Sequence, residues 1–277
     1  MKGEDIKTVV KEAYAGIAKQ GRSACAPAIA CCESVDVTQE MSRKIGYSEE
    51  DLHRAPGGAD LGLGCGNPVA LSSLREGETV LDLGSGAGLD AFLAAHKVGN
   101  AGRVIGVDMT PAMIERAREN AKRGNYANVE FRLAEIEDLP VADNSVDVVI
   151  SNCVINLSPD KPHVFREAFR VLKPGGRLMV SDIVLLEELP DPVQRSVEAY
   201  IGCVAGAMLR DKYVEAIRAA GFRDIRILQE APFSLEYLAN DPTAKAIMEG
   251  SNLPPDELRG IASSIISLGI SAVKSPA

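Results

Sequence analysis

A chain of 277 residues holds one large domain with an appendage or two small ones. With 46% apolar residues, no Trp and 4% aromatics, its core must be built from Val, Ile, Leu and Ala. The formal net charge of −9 argues against a phosphate-binding face, and so against nucleic acid as a partner.

No Lys/Arg-headed apolar leader opens the sequence. The longest apolar run near its end, Ile261 to Val273, is broken by Ser and Gly and too short to cross a bilayer. A soluble cytoplasmic protein with no membrane partner is expected. Its six cysteines then favour reduced thiols with a chemical or packing role over a disulfide scaffold.

The first predicted element is an amphipathic helix, because Ile6, Val9, Val10, Ala13, Tyr14 and Ile17 recur at helical spacing. Periodicity is lost from Gly21 to Asp36, a loop carrying Cys25, Cys31 and Cys32. A second helix is expected after Ser48, which stands three residues before Asp51 as in a capping box, and it should stop near Pro56-Gly57-Gly58. Leu61 to Pro68, L-G-L-G-C-G-N-P, is too glycine-rich for a helix. From Thr79 short β-rich runs alternate with helical patterns, the mark of βαβ units and a parallel sheet. The runs are Thr79 to Leu83, Arg103 to Asp108, Val129 to Leu133, Val146 to Ile150 and Arg177 to Asp182. Thr110-Pro111 and Ser158-Pro159 pair a capping hydroxyl with proline at a helix start, and Lys173-Pro174-Gly175-Gly176 ends a helix. Helices from Val193 to Leu209 and Asp211 to Ala220, strands near Arg223 to Leu228 and Ser264 to Val273, and a helical insertion at Leu235 to Ala262 complete the reading.

The first chemical motif is V-L-D-L-G-S-G-A-G, Val80 to Gly88. Glycines at 84, 86 and 88 let the backbone turn tightly against a ligand between a strand and the next helix. A dinucleotide fingerprint would need glycine at 89, where Leu89 stands. Asp82 at the strand's end would repel phosphate and suit a cation. S-adenosylmethionine is such a ligand, with an ammonium, a sulfonium and no phosphate. Twenty residues past Gly88, Asp108 closes the second strand, where an acid can accept ribose hydroxyls.

Through these residues the chain resembles the class I S-adenosylmethionine-dependent methyltransferases. The likeness covers Thr79 to Asp182 and includes A-E-I-E-D-L-P, Ala134 to Pro140, which looks like the family's adenine-contacting turn. The resemblance implies a Rossmann-like α/β fold with a mostly parallel seven-stranded sheet, an N-terminal helical extension and a small C-terminal α/β insertion. It implies that Asp82, Gly84, Gly86 and Gly88 hold the methionine end, Asp108 the ribose, and Glu135, Ile136 or Glu137 the adenine. Ser85, Met109 and Asn152 join them as cofactor contacts. Three segments follow: a cysteine-bearing helical extension (1–70), the cofactor-binding core (71–188), and a part that completes the sheet with helical substrate-binding or lid elements (189–277).

Cys153, in S-N-C-V-I-N, lies just beyond the fourth strand and should border the transferable methyl, since ligands of an open α/β sheet sit outside its strands' carboxyl ends. Taken alone, such a cysteine is more often a small buried hydrophobe. Cys65 in L-G-L-G-C-G-N-P and Cys203 in Y-I-G-C-V-A-G-A change the weighing. The three histidines, His53, His96 and His163, fall in or at the end of predicted helices, so a general base is not apparent. Several thiols without histidine suit a soft acceptor. L-G-L-G-C-G-N-P, S-N-C-V-I-N-L and Gly202-Cys203-x-x-Gly206 together resemble the arsenite methyltransferases. That resemblance implies that Cys65, Cys153 and Cys203 hold arsenic(III), and that Cys25, Cys31 or Cys32 serves a disulfide relay reset by a small thiol or thioredoxin. Arsenite and methylated arsenicals would be the substrates. Two rivals stay open: a methyltransferase acting on a small carbon or oxygen acceptor such as a quinone or phenol, and a non-enzymatic arsenite-binding module.

Overall fold

The computed structural model describes residues 3–232, apart from 21–33, and 255–276. Cys25, Cys31 and Cys32, expected to serve a disulfide relay, and most of the expected Leu235 to Ala262 insertion lie outside these residues. Among the described residues one seven-stranded sheet organises the chain, in the order β3-β2-β1-β4-β5-β7-β6. Its strands are β1 (Thr79–Leu83), β2 (Arg103–Asp108), β3 (Val129–Leu133), β4 (Val146–Asn152), β5 (Leu172–Leu185), β6 (Arg223–Pro232) and β7 (Ile265–Val273). The first five pair in parallel, while β7 runs antiparallel to both β5 and β6. The order reverses between β1 and β4, the topological switch point at which open sheets of this kind bind ligands.

The period-two pattern of the strands decides which helices cover which face. Leu81, Leu83, Ile105, Val107 and Val149 enter one apolar layer, and their alternates Val80, Val104, Val148 and Ile150 enter the other. The first layer is closed by α7 (Lys161–Val171) and α10 (Arg210–Ala219), through Phe165 and Tyr213, with Phe222 from the turn after α10. The second is closed by α5 (Leu89–Val98) and α6 (Pro111–Arg123), through Phe92 and Ile114. With both faces covered, the central strands read as continuous apolar runs, which is why they stood out in the sequence.

Before the sheet come α1 (Gly3–Gln20), α2 (Ser34–Lys44), α3 (Glu49–Arg54) and α4 (Pro68–Leu71). Ser48 and Asp51 form the expected capping box at α3. Two other caps differ from expectation. Thr110 makes no side-chain cap at α6, and α7 is capped by Asp160, whose carboxylate accepts the His163 N–H. Ser158 is committed elsewhere: its hydroxyl donates to Glu137 at 2.7 Å.

The expected helix from Val193 to Leu209 is replaced by two short ones, α8 (Asp191–Gln194) and α9 (Val197–Ile201), followed by a loop. The break has a steric cause. A Cβ at Gly206 would stand 2.2 Å from the Asn156 carbonyl oxygen, so the loop lies directly on the backbone that follows β4. Cys203, at φ 63°, turns the chain out of α9, and Leu185 N–H bonds to Met208 O at 2.9 Å. β5 also begins earlier than the Arg177 expected. Its pairing with β4 jumps from Val146↔Leu172 to Val148↔Arg177, so Lys173 to Gly176 form a bulge inside the strand. The last helix, α11 (Pro255–Ser264), leads into β7.

Because the Gly206 contact is to backbone and not to a flexible side chain, Gly206→Ala should cost about 1 to 3 kcal/mol in urea unfolding. Gly16→Ala, on α1 with nothing within 4 Å of the added methyl, should be neutral or stabilising. Equal stability of the two variants would contradict the packing described.

Candidate functional site

A cleft opens over the carboxyl ends of β1, β2 and β4, with an empty volume of about 1040 Å³ that includes the solvent at its mouth. The glycine turn forms its floor. Gly84 and Ser85 N–H both bond to Val107 O, at 2.8 and 2.9 Å, which ties the turn to β2. Gly84 has φ 68°, and a Cβ there would meet Val154 at 2.2 Å. Gly86 has φ 51° with nothing within 4 Å, so its backbone is bare toward the cleft, as a ligand's close approach requires.

Acids dominate the wall: Asp60, Asp82, Asp90, Asp108 and Glu137 all face the cleft, against the single cation Lys7 among the lining residues. Asp82 is 2% exposed and its Oδ2 has no hydrogen-bond partner. Burial, then the charges of Asp90 and Asp108, holds its carboxyl well above the usual range. Asp90 is pushed up to about 6 by burial, against hydrogen bonds from Tyr47 and Asn152. Asp108 is raised by burial, opposed by the Thr110 and Gly86 N–H groups, which donate to its two oxygens at 2.8 and 3.0 Å. A buried carboxylate oxygen with no donor is costly unless a cation meets it. The donor set therefore suits a positively charged ligand with hydroxyls.

Asn152, the last residue of β4, joins this wall to the thiols. Its Oδ1 accepts the Cys65 N–H at 3.0 Å. Its Nδ2 lies 2.8 Å from the Tyr47 hydroxyl, 2.8 Å from Gly66 O and 3.0 Å from Asp90 Oδ2. Tyr47 in turn donates to Asp90 Oδ1 at 2.7 Å. The Leu61 to Pro68 segment is held by these bonds, and a Cβ at Gly64 would meet Asn152 at 2.7 Å.

Cys65, Cys153 and Cys203 are 4%, 8% and 4% exposed, unbonded to one another, and share one apolar cluster. The Cys153 thiol is in hydrogen-bonding reach of both the others. Three elements bring them together. Cys65 comes from the pinned loop, Cys153 turns out of β4 at φ 56°, and Cys203 turns out of α9 at φ 63°. Left-handed backbone at two non-glycine residues is strain that the surrounding packing sustains. The Cys203 thiol donates to Cys153 O at 3.0 Å. Burial raises the Cys65 thiol above its ordinary value. At Cys153 the Cys203 hydrogen bond lowers the value, but contact with Cys65 and burial outweigh it. At Cys203 contact with Cys153 and burial both raise it. The resting site therefore holds thiols, not thiolates.

The helix α1 lies over the cleft. Lys7 donates to Glu135 at 2.6 Å and pairs with Glu137 at 2.9 Å, while Lys11 meets Glu135 at 2.9 Å. Glu135 is thereby turned to α1 and is not among the residues that line the cleft, whereas Ile136 and Glu137 are. Tyr14 reaches inward, donating to Ile201 O at 3.3 Å and contacting the Cys203 thiol. Asp182, three residues before the end of β5, is fully buried beside the thiols. It accepts from Asn156 Nδ2 at 2.8 Å, Ile183 N at 3.0 Å and the Tyr213 hydroxyl at 3.0 Å, and burial pushes it up to about 7. Sequence reasoning missed Tyr14, Tyr47, Asp90 and Asp182. Asp90 carried a signal, as the first acid after the glycine turn, but nothing local marks the others.

Residues 74–221 match the family model described as "Methyltransferase domain". The arsenite methyltransferase of Halobacterium salinarum is 50% identical over 231 residues, 81% of this chain and 59% of that protein. That of Aquipseudomonas alcaligenes is 44% identical over 179 residues, 62% of this chain and 51% of that protein. The crystal structure of CrArsM, an arsenic(III) S-adenosylmethionine methyltransferase from Chlamydomonas reinhardtii, superposes with a TM-score of 0.62 at 34% identity, covering 86% of this chain and 74% of its own. The chain belongs to the arsenite methyltransferase family. It spans about half to three fifths of the length of the two curated relatives. The seven-stranded, mostly parallel sheet is the fold expected of that family.

Protonation of the wall should be visible in stability. Unfolded carboxyls ionise near 3.9, so the folded chain binds more protons between that value and about 6 at Asp90 or 7 at Asp182. The stability these groups contribute is whole below about pH 4 and is lost as pH rises through their folded values. In urea unfolding between about pH 5 and 7.5, Asp90→Asn should lose less stability than the parent. An equally steep loss in both would remove Asp90 from the buried set.

Proposed function

We propose that this chain transfers the methyl group of S-adenosylmethionine to trivalent arsenic held by Cys65, Cys153 and Cys203, acting in the cytoplasm. The observation that carries the reading is the meeting of three buried thiols, one of which, Cys153, lines a cleft built for a cationic ligand. Among the described residues no helix is long and apolar enough to cross a membrane.

The orphaned Oδ2 of Asp82 fits the donor's ammonium, and the bare backbone of Gly86, with Ser85 beside it, fits close passage of the chain that follows. Asp108 keeps acceptor capacity for ribose hydroxyls, with Met109 beside it, and Ile136 with Glu137, which line the cleft, would border the adenine. When bound, S-adenosylmethionine supplies an electrophilic methyl on a positively charged sulfur.

Arsenite loads by exchange. Each thiol gives its proton to an arsenic-bound hydroxide, a water leaves, and an As–S bond forms, so three exchanges consume three hydroxides without free thiolates. That route suits thiols whose surroundings hold them protonated. With arsenic held by the three sulfurs and the donor by the acidic wall, the site would present the arsenic lone pair to the electrophilic methyl, and the donor's sulfur would keep the electron pair of its broken S–C bond. Holding the two reactants in line removes about 7 to 11 kcal/mol of barrier. Arsenic is then formally pentavalent. Two cysteine sulfurs supply two electrons and close a disulfide, restoring trivalent arsenic, and a small thiol or thioredoxin reopens it. Cys25, Cys31 or Cys32 takes the relay role in this scheme.

His53, His96 and His163 are all exposed on helices away from the cleft, whereas three thiols meet beside it, which favours a soft acceptor over a carbon or oxygen one. A thiol-binding module without activity would have no use for the acidic cleft.

Cys153→Ser, incubated with arsenite, labelled donor and a thiol reductant, should lose methylated arsenic by at least about a hundredfold, as loss of an oriented reactant does. Its affinity for S-adenosylmethionine should stay near that of the parent. Undiminished product would remove Cys153 from the mechanism, and methylated quinone or phenol in place of methylated arsenic would overturn the substrate.

A further inference from the structure

We propose that Cys65, Cys153 and Asp182 make the thiol pocket a second kind of site, one that takes a thiophilic divalent cation, zinc(II) or cadmium(II), and excludes arsenite while the cation is bound. One donor atom of each of the three residues lies within 4.8 Å of the other two. All three are buried, at 4%, 8% and 0% exposure. The two acceptor classes need different donors. Trivalent arsenic is pyramidal and neutralised by three thiolates, whereas a tetrahedral divalent ion binds a mixture of sulfur and carboxylate oxygen. Its donors stand under about 4 Å apart when sulfur lies at about 2.3 Å. A small inward rotation of the side chains therefore closes the set.

Asp182 is built like a ligand held by outer partners. Asn156 and the Ile183 N–H occupy its Oδ1, and the Tyr213 hydroxyl occupies one side of Oδ2, which leaves acceptor capacity on that oxygen. Binding forms two S–metal bonds and one O–metal bond, and the two thiol protons pass to solvent. The charge left over is a single negative one, with the buried Lys161 as electrostatic partner of Asp182. Cys203 falls outside this donor set. Its thiol is spent on Cys153 O at 3.0 Å, and water completes the tetrahedron. Arsenite needs Cys203 and does without Asp182, and the divalent ion needs Asp182 and does without Cys203.

The test uses the full chain with Cys25, Cys31 and Cys32 replaced by serine, so that these thiols do not report. Cadmium chloride is titrated while the ultraviolet thiolate-to-cadmium band is followed, and arsenite binding is measured separately by calorimetry. One cadmium per chain, displaced by arsenite, is expected. Asp182→Asn keeps the shape of the side chain and should weaken cadmium by at least about tenfold, leaving arsenite within about threefold. Cys203→Ser should do the reverse. Unchanged cadmium affinity in Asp182→Asn, parallel loss of both ions in Cys203→Ser, or simultaneous binding of cadmium and arsenite would each overturn the assignment. Should Asp182→Asn fail to fold, Cys203→Ser decides alone: retained cadmium with lost arsenite supports the site, and parallel loss refutes it. The competition with arsenite rests on the proposed three-thiol arsenic site, but methyl transfer is not the readout, so failure of the cadmium site leaves the proposed function standing.

Discussion

The carboxamide of Asn152 is the constraint from which the rest of the site follows. One side chain at the end of β4 accepts the Cys65 N–H, approaches Asp90 and Tyr47, and bonds Gly66 O. A loop remote in sequence is thereby fixed against the strand end that also presents Cys153. Four interactions at one amide leave it no freedom to flip, because oxygen and nitrogen face opposite kinds of partner. Cofactor wall and thiol cluster are consequently parts of a single network, with Asp90 facing the cleft and Cys65 facing the thiols.

Two costs are built into this arrangement. Acids are gathered where burial, joined at Asp82 by the charges of its neighbours, raises them above their ordinary values, so the unliganded cleft penalises their charged forms. The thiols are likewise held protonated by burial and by one another. Both penalties are relieved by ligands of the right character, a cation at Asp82 and a soft acceptor at the sulfurs. Left-handed backbone at Cys153 and Cys203 adds strain of about 1 to 3 kcal/mol each. In return both side chains turn off their elements into the same space.

Much of this was legible in sequence because the central strands are covered on both faces. Thr79–Leu83 and Arg103–Asp108 stand as the β-rich runs indicated, and so does the half-exposed edge strand Val129–Leu133. The glycine turn was legible because positive φ and close approach leave few alternatives to glycine. The segment around Cys203 was misread as helix, since what breaks it is contact between Gly206 and Asn156, fifty residues apart. Tyr14, Tyr47 and Asp182 were illegible for the same reason. Their neighbours are supplied by other elements, and no local spacing encodes them. Glu135 shows the limit of motif reading: it sits in the expected turn, but Lys7 and Lys11 claim its carboxylate.

Whether the three sulfurs grip one atom can be asked of the loaded protein directly. X-ray absorption at the arsenic edge, on the chain with Cys25, Cys31 and Cys32 replaced by serine, counts the neighbours of bound arsenic. Sulfur alone, at a coordination number of about three, is the result the account predicts for a soft ion held by thiolates. Oxygen neighbours, or no arsenic retained once those three cysteines are gone, would contradict it.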